Sequence, residues 1–178
     1  MLFVEFIKGP FNNYLAKIRL YAIPCVLMSF QQNITLQHIT AEETLPLRSI
    51  VLRPGQPIEN CRYKEDSLAT TFHLGALIDG KIVCNGTFMK DICPYFTAEE
   101  SAYRLRGMAT NPDFRGLQLG SRLLKEAEDI LRSRGCKLLW FNARESALVF
   151  YEKSGFVTIG DLFDIALIGP HKVMYKWL

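Results

Sequence analysis

The residues with the clearest capacity for chemistry stand in one stretch, Arg115-Gly-Leu-Gln-Leu-Gly120, which leads from an apolar strand pattern into a helix pattern. Successive backbone N–H groups at a helix amino terminus lack intrahelical acceptors and form a concave donor site for phosphate oxygens. Small residues such as Gly116 and Gly120 let an anion come close to the backbone, and at Gly120 the neighbouring strand is the alternative claimant to the space. Arg115 adds a charge suited to phosphate, and the helix dipole favours the same anion. Other reactive types are scattered. His73, His171, Glu99 and Glu100 are candidates for a general base, and no spacing selects one of them. Cys25, Cys61, Cys84, Cys93 and Cys136 include no C-x-x-C pair and no His at metal-ligand spacing. They are expected as reduced thiols, and no metal is expected.

The elements around this turn have to hold it rigidly. Ile34, Leu36 and Ile39 suggest a first strand, and Thr40-Ala-Glu-Glu43 a capping-box start to a helix that runs to Leu52. Arg53-Pro-Gly-Gln-Pro57 stops that helix, and the polar stretch to about Ser67 reads as a loop able to border a substrate pocket. Phe72 to Ile78, Asp79-Gly80 and Lys81 to Phe88 predict a hairpin with a two-residue turn. Tyr103 to Thr110 reads as a fourth strand in which Gly107 marks a bulge or a close backbone approach. Gly120, Leu123, Leu124, Ala127 and Leu131 recur at helical spacing, with Gly135 as the stop. Leu138 to Phe141 supplies a fifth strand and Glu145 to Lys153 a second helix ended by Gly155. Phe156 to Ile159 and Lys172 to Leu178 suggest a final hairpin.

At 178 residues the chain suits one domain with a real core, and 49% hydrophobic with 22% charged residues is an ordinary globular balance. A formal charge of +3 gives no argument for a nucleic-acid partner, while a small anionic ligand remains compatible. The apolar run from Leu20 to Met28 is too short for a membrane span and is interrupted by Pro24. A cytoplasmic protein with no membrane partner is expected. Residues 1–30 read as an amino-terminal appendage, with Met28 a competing start, and residues 31–178 as the domain.

Met108 to Leu124 resembles motif A of the GNAT superfamily of N-acetyltransferases, whose pattern is Arg/Gln-x-x-Gly-x-Gly/Ala. Arg115, Gly116 and Gly120 fit its arginine-glycine form, and Gln118 stands where the first patterned glycine is expected. Arg144 to Phe156 resembles the same family's motif B, including Phe150-Tyr-Glu-Lys153 and Gly155-Phe156. The resemblance covers about Ile34 to Leu178. It implies a single-domain α/β fold, a mixed and mostly antiparallel sheet flanked by helices, in which the fourth and fifth strands splay to admit the cofactor.

The implied cofactor is acetyl-CoA, used as co-substrate in direct transfer to a primary amine, of a small molecule or a protein. Its pyrophosphate would meet Arg115, Gly116, Leu117, Gln118, Leu119, Gly120 and Ser121. Its pantetheine arm would meet backbone groups of Met108, Ala109 and Thr110, and Asn142 and Arg144 are further candidates for cofactor contact. Tyr151 matches the family tyrosine that protonates the departing thiolate; packing with Phe150 and Phe156 is its competing role. A homodimer is the family expectation. Gln118 motivates an alternative function, an acyl-CoA-binding regulatory module without transferase activity.

Overall fold

The computed structural model describes residues 5–8, 14–17 and 33–178. The chain falls into two compact units, Met1–Gln31 and Gln32–Leu178. In the first, β1 (Glu5–Lys8) pairs antiparallel with β2 (Tyr14–Lys17). The boundary of the expected appendage and the Met28 start lie outside the described residues.

The second unit is built on seven strands: β3 (Ile34–Ile39), β4 (Phe72–Ile78), β5 (Lys81–Lys90), β6 (Ala102–Thr110), β7 (Leu138–Arg144), β8 (Val157–Ile165) and β9 (Gly169–Trp177). Their order in the sheet is β3-β4-β5-β6-β7-β9-β8. Every neighbouring pair is antiparallel except β6 and β7. This is the expected fold, mixed and mostly antiparallel with helices on the sheet.

Local chemistry accounts for most of the elements. Thr40 caps α1 (Ala41–Leu47) with a reciprocal box, its hydroxyl accepting from the Glu43 N–H while Glu43 accepts from the Thr40 N–H. Pro46 lies inside that helix, and the chain widens into a π turn over Arg48–Leu52. Asp79 and Gly80 both take positive φ, 50° and 77°, as a two-residue hairpin turn demands. The amphipathic α2 (Leu119–Ser133) buries Leu123, Leu124, Ala127 and Leu131 against the sheet.

Three boundaries differ from the sequence expectation. The fifth strand continues to Arg144 because Asn142, Ala143 and Arg144 pair with Val173, Lys172 and His171 of β9. The helix expected from Glu145 starts as a 3-10 turn (Glu145–Ala147) and becomes α3 only at Leu148–Lys153. The final hairpin is longer than expected, with an irregular register between Ile159 and Phe163. At the two strand boundaries tertiary pairing extends polar or glycine-containing segments whose local pattern is weak.

Two features make the sheet open in the middle. β6 and β7 pair only over Ala102, Tyr103 and Arg104 with Leu138, Leu139 and Trp140, so both strands run on beyond their last parallel contact. In β6, Asn85 faces Ala109 but Thr87 faces Arg106, which leaves one extra residue in β6. That is the bulge, at Gly107 with φ 60°. Gly107 is also a close approach, since a Cβ there would lie 2.7 Å from Arg48 Nε. Sequence left bulge and close approach as alternatives; the backbone uses both.

Candidate active site

The splay opens into a cleft of about 820 Å³. It is lined by the far half of β6, the turn into α2, the end of β7, α3 and the π turn of α1. Two charged-ligand environments meet here, separated by the plane of the sheet.

On one side lies the turn before α2. Arg115 is in extended backbone, Gly116 has φ 84°, and Gln118 is the residue before the helix with φ 57° and ψ 19°. Its carbonyl accepts the first helical bond, from the Arg122 N–H at 3.0 Å. Among the described residues, the N–H groups from Gly116 to Ser121 have no backbone acceptor. A Cβ on Gly116 would meet nothing within 4 Å, so the space in front of the turn is open. The residues present therefore fit a phosphate-bearing ligand.

Of the two claimants to the space beside Gly120, phosphate and the neighbouring strand, the geometry favours the strand. Its missing Cβ faces Phe150 at 3.0 Å and Met108 at 3.1 Å, so it lets α2 pack closely on α3 and β6. Its contribution to the cradle is through its N–H. Leu117, expected in the cradle, is an exposed residue outside the cleft lining, whereas Met108, Ala109, Thr110, Arg115, Gly116, Gln118, Leu119, Gly120, Ser121, Asn142 and Tyr151 all line it.

Gln118 in the left-handed region carries strain of about 1–2 kcal/mol that glycine avoids, offset partly by the greater unfolded-state entropy of glycine. Gln118→Gly is expected to leave thermal stability unchanged or slightly raised. Gln118→Val, with a branched Cβ at the same φ, should lower it by about 1–2 kcal/mol in chemical denaturation.

Tyr151 is buried between Phe141, at 4.3 Å between ring centroids, and Phe150, at 4.9 Å. Its hydroxyl reaches across to β6, 3.5 Å from Met108 Sδ, beside the bulge. Burial pushes the phenol well above its usual range, so it stays protonated. Cys84 lies nearby, its sulfur accepting from the Thr110 hydroxyl at 3.1 Å, and burial pushes its thiol up to about 11. A thiol that resists ionisation is a poor nucleophile.

The four general-base candidates separate clearly. Glu99 caps its own loop by accepting from Ser101, and neither Glu99 nor Glu100 lines the cleft. His73 is buried behind it, bonded to Thr87 Oγ1 at 2.8 Å and to the Asp66 carbonyl at 3.3 Å. His171 alone of the four lines the cleft. Its Nδ1 lies 2.7 Å from the Gly169 carbonyl, which only accepts, so Nδ1 carries the hydrogen and Nε2 keeps the lone pair of the neutral ring.

Tyr63, from the stretch read as a pocket border, lines the cleft, but sequence reasoning did not single out Arg53, Arg104 or Arg106. The signal for two of these arginines was present: Arg104 and Arg106 flank buried Leu105 in the strand alternation, a charged pair on one face of a central strand.

Residues 37–156 match the family model described as the acetyltransferase (GNAT) family. The chain belongs to the GNAT family of acetyltransferases. An uncharacterized N-acetyltransferase of Bacillus subtilis (strain 168), YitI, is 45% identical over 140 residues, spanning 79% of this chain and 93% of that one. Two solved structures share the fold at low identity. Escherichia coli ElaA is 17% identical with a TM-score of 0.64 over 80% of this chain and 99% of its own. An acetyltransferase of the GNAT family from Streptococcus pneumoniae is 18% identical with a TM-score of 0.60 over 82% and 99%. Among the described residues, no helix is long and apolar enough to cross a membrane and no group of three metal-binding side chains gathers.

Proposed function

We propose that the chain transfers an acetyl group directly from acetyl-CoA to an amine, of a small molecule or a protein, with the splay between β6 and β7 as the reaction site. The single observation that carries this reading is the run of acceptor-free N–H groups from Gly116 to Ser121 opening onto the same cleft as Tyr151 and His171. Acetyl-CoA supplies an activated thioester. Arg115, the Gly116–Ser121 N–H groups and Asn142 hold its polar parts, and the β6 backbone at Met108, Ala109 and Thr110 aligns its arm.

The Gly107 carbonyl accepts from Asn85 Nδ2 at 2.9 Å, and the extra residue of the β6 bulge, which falls out of the ladder register, offers a backbone N–H to stabilise charge on the thioester oxygen. His171 Nε2 accepts a proton from the attacking amine. As the new C–N bond forms and the C–S bond breaks, Tyr151 donates its hydroxyl proton to the departing thiolate. The products are an N-acetylated amine and free CoA. A cytoplasmic setting accords with the unpaired, buried thiols of Cys61, Cys84, Cys93 and Cys136.

Isothermal titration with acetyl-CoA, joined to a thiol-release assay over a panel of amines, tests this reading. Arg115→Ala should weaken acetyl-CoA binding by about 1–3 kcal/mol, and the loss should shrink as salt rises. Unchanged affinity in that variant would argue against the cradle. Tight binding with no turnover on any amine would instead favour a regulatory module.

A further inference from the structure

The wall of the cleft opposite the α2 turn is cationic. Strand register places Arg106 level with Thr87, Arg104 level with Trp140, and Arg144 level with His171, all on the sheet face that Arg48 and the π turn cover. Arg53 ends that turn. No Asp or Glu lines the cleft.

These cations are incompletely matched. Arg106 meets Glu65 at 3.3 Å and Arg104 meets the part-exposed Asp91 at 3.1 Å, both long for charge-assisted bonds. The Nε of Arg104 is buried without an acceptor. Arg144 donates to the Leu52 carbonyl at 2.7 Å, and Arg53 has no acidic partner among the described residues. Arg106 is stacked 3.9 Å from the centre of the Tyr63 ring, which fixes its planar fork. Burial pulls its guanidinium below the usual range. Partly desolvated cations whose acidic partners are distant or missing are a cost that an anionic ligand offsets.

We propose that the acceptor is an amine that also carries an anionic group, a phosphate or a carboxylate, which Arg53, Arg106 and Arg144 hold while the amine faces His171. The inference rests on the acetyl-transfer reading only for the amine; the anion preference belongs to the cleft itself. A simple, strongly cationic amine would be repelled by the same wall, so polycations are poor acceptors.

Equilibrium binding to CoA-saturated protein tests this with two matched pairs, phosphoethanolamine against ethanolamine and β-alanine against its amide. In at least one pair the member that carries the anionic group should bind about 10-fold or more tightly than the one that lacks it, and the arm that does so identifies phosphate or carboxylate. Arg53→Gln, on the cleft rim, and Arg106→Met should each cut that preference by roughly threefold or more while leaving CoA affinity within about twofold. Raising salt to 0.5 M should shrink it as well. Equal binding within both pairs, no binding of either anionic probe, or an unchanged preference in both variants would overturn the proposal. If CoA itself does not bind, the transfer reading fails; the same pairs titrated into the protein alone still report the anion preference.

Discussion

Tyr151→Phe is expected to lower turnover by roughly 10²–10⁴-fold at saturating substrates while acetyl-CoA affinity stays nearly unchanged. Phenylalanine keeps the ring that packs on Phe141 and Phe150 and removes only the hydroxyl, whose one hydrogen-bond partner among the described residues is the weak acceptor Met108 Sδ at 3.5 Å. Stability should therefore change by no more than about 1 kcal/mol. That separation makes the variant informative, because a purely structural tyrosine would leave turnover near wild type. Burial holds the phenol protonated, so the rate should not rise or fall with titration of Tyr151 anywhere near neutral pH. Pre-steady-state thiol release with chemistry shown to be rate-limiting is the measurement. A rate near wild type would remove Tyr151 from the mechanism and leave water as the proton source.

The largest effect on stability should come from Arg48→Met. Arg48 is completely buried beneath the Gly107 bulge and donates to both oxygens of Asp66, at 2.7 and 3.0 Å, to the Cys61 carbonyl and to Thr87. Its guanidinium also lies 4.2 Å from the centre of the Tyr63 ring. Removing it leaves Asp66, a nearly buried carboxylate, with the Tyr63 N–H as its remaining hydrogen-bond donor. Orphaning one member of a buried ion pair costs about 3–5 kcal/mol. For a chain of this size that is a fall in Tm of roughly 6–20 °C. The double variant Arg48→Met with Asp66→Leu should recover much of the loss, since replacing both partners with apolar groups removes the uncompensated charge. Thermal and urea denaturation of the four proteins read the cycle. A single-variant loss under about 1 kcal/mol, or no recovery in the double, would show that the pair is not what holds the loop over the bulge.

The sequence alone determined the features that depend on local backbone demands. Glycine at 107, 116, 135 and 155 occupies positive φ in the structure, and the Asp79-Gly80 turn, the Thr40 capping box and the α2 stripe follow from rules that act within a few residues. The turn from Arg115 to Gly120 was legible for the same reason: a helix start and its donors are defined by adjacent residues. The splayed strand pair was not read from any local pattern; it came only with the family resemblance.

What tertiary structure decided was which distant residues face each other. Nothing in the spacing of His73, Glu99, Glu100 and His171 distinguishes them. Only the pairing of β9 with β7 brings His171 level with Arg144 and into the cleft, while the pairing of β4 with β5 holds His73 against Thr87, outside the cleft lining. Arg48 looked like one polar residue in a short helix, yet the return of β5 and the loop through Asp66 surrounds it. At Gly120 the structure likewise selects between phosphate and the neighbouring strand, because the contact that requires a missing side chain is with Met108 of β6 and with Phe150. These are long-range contacts fixed by strand order and register. A periodic pattern records which face a residue takes, and the opposing residue is set by how the strands assemble.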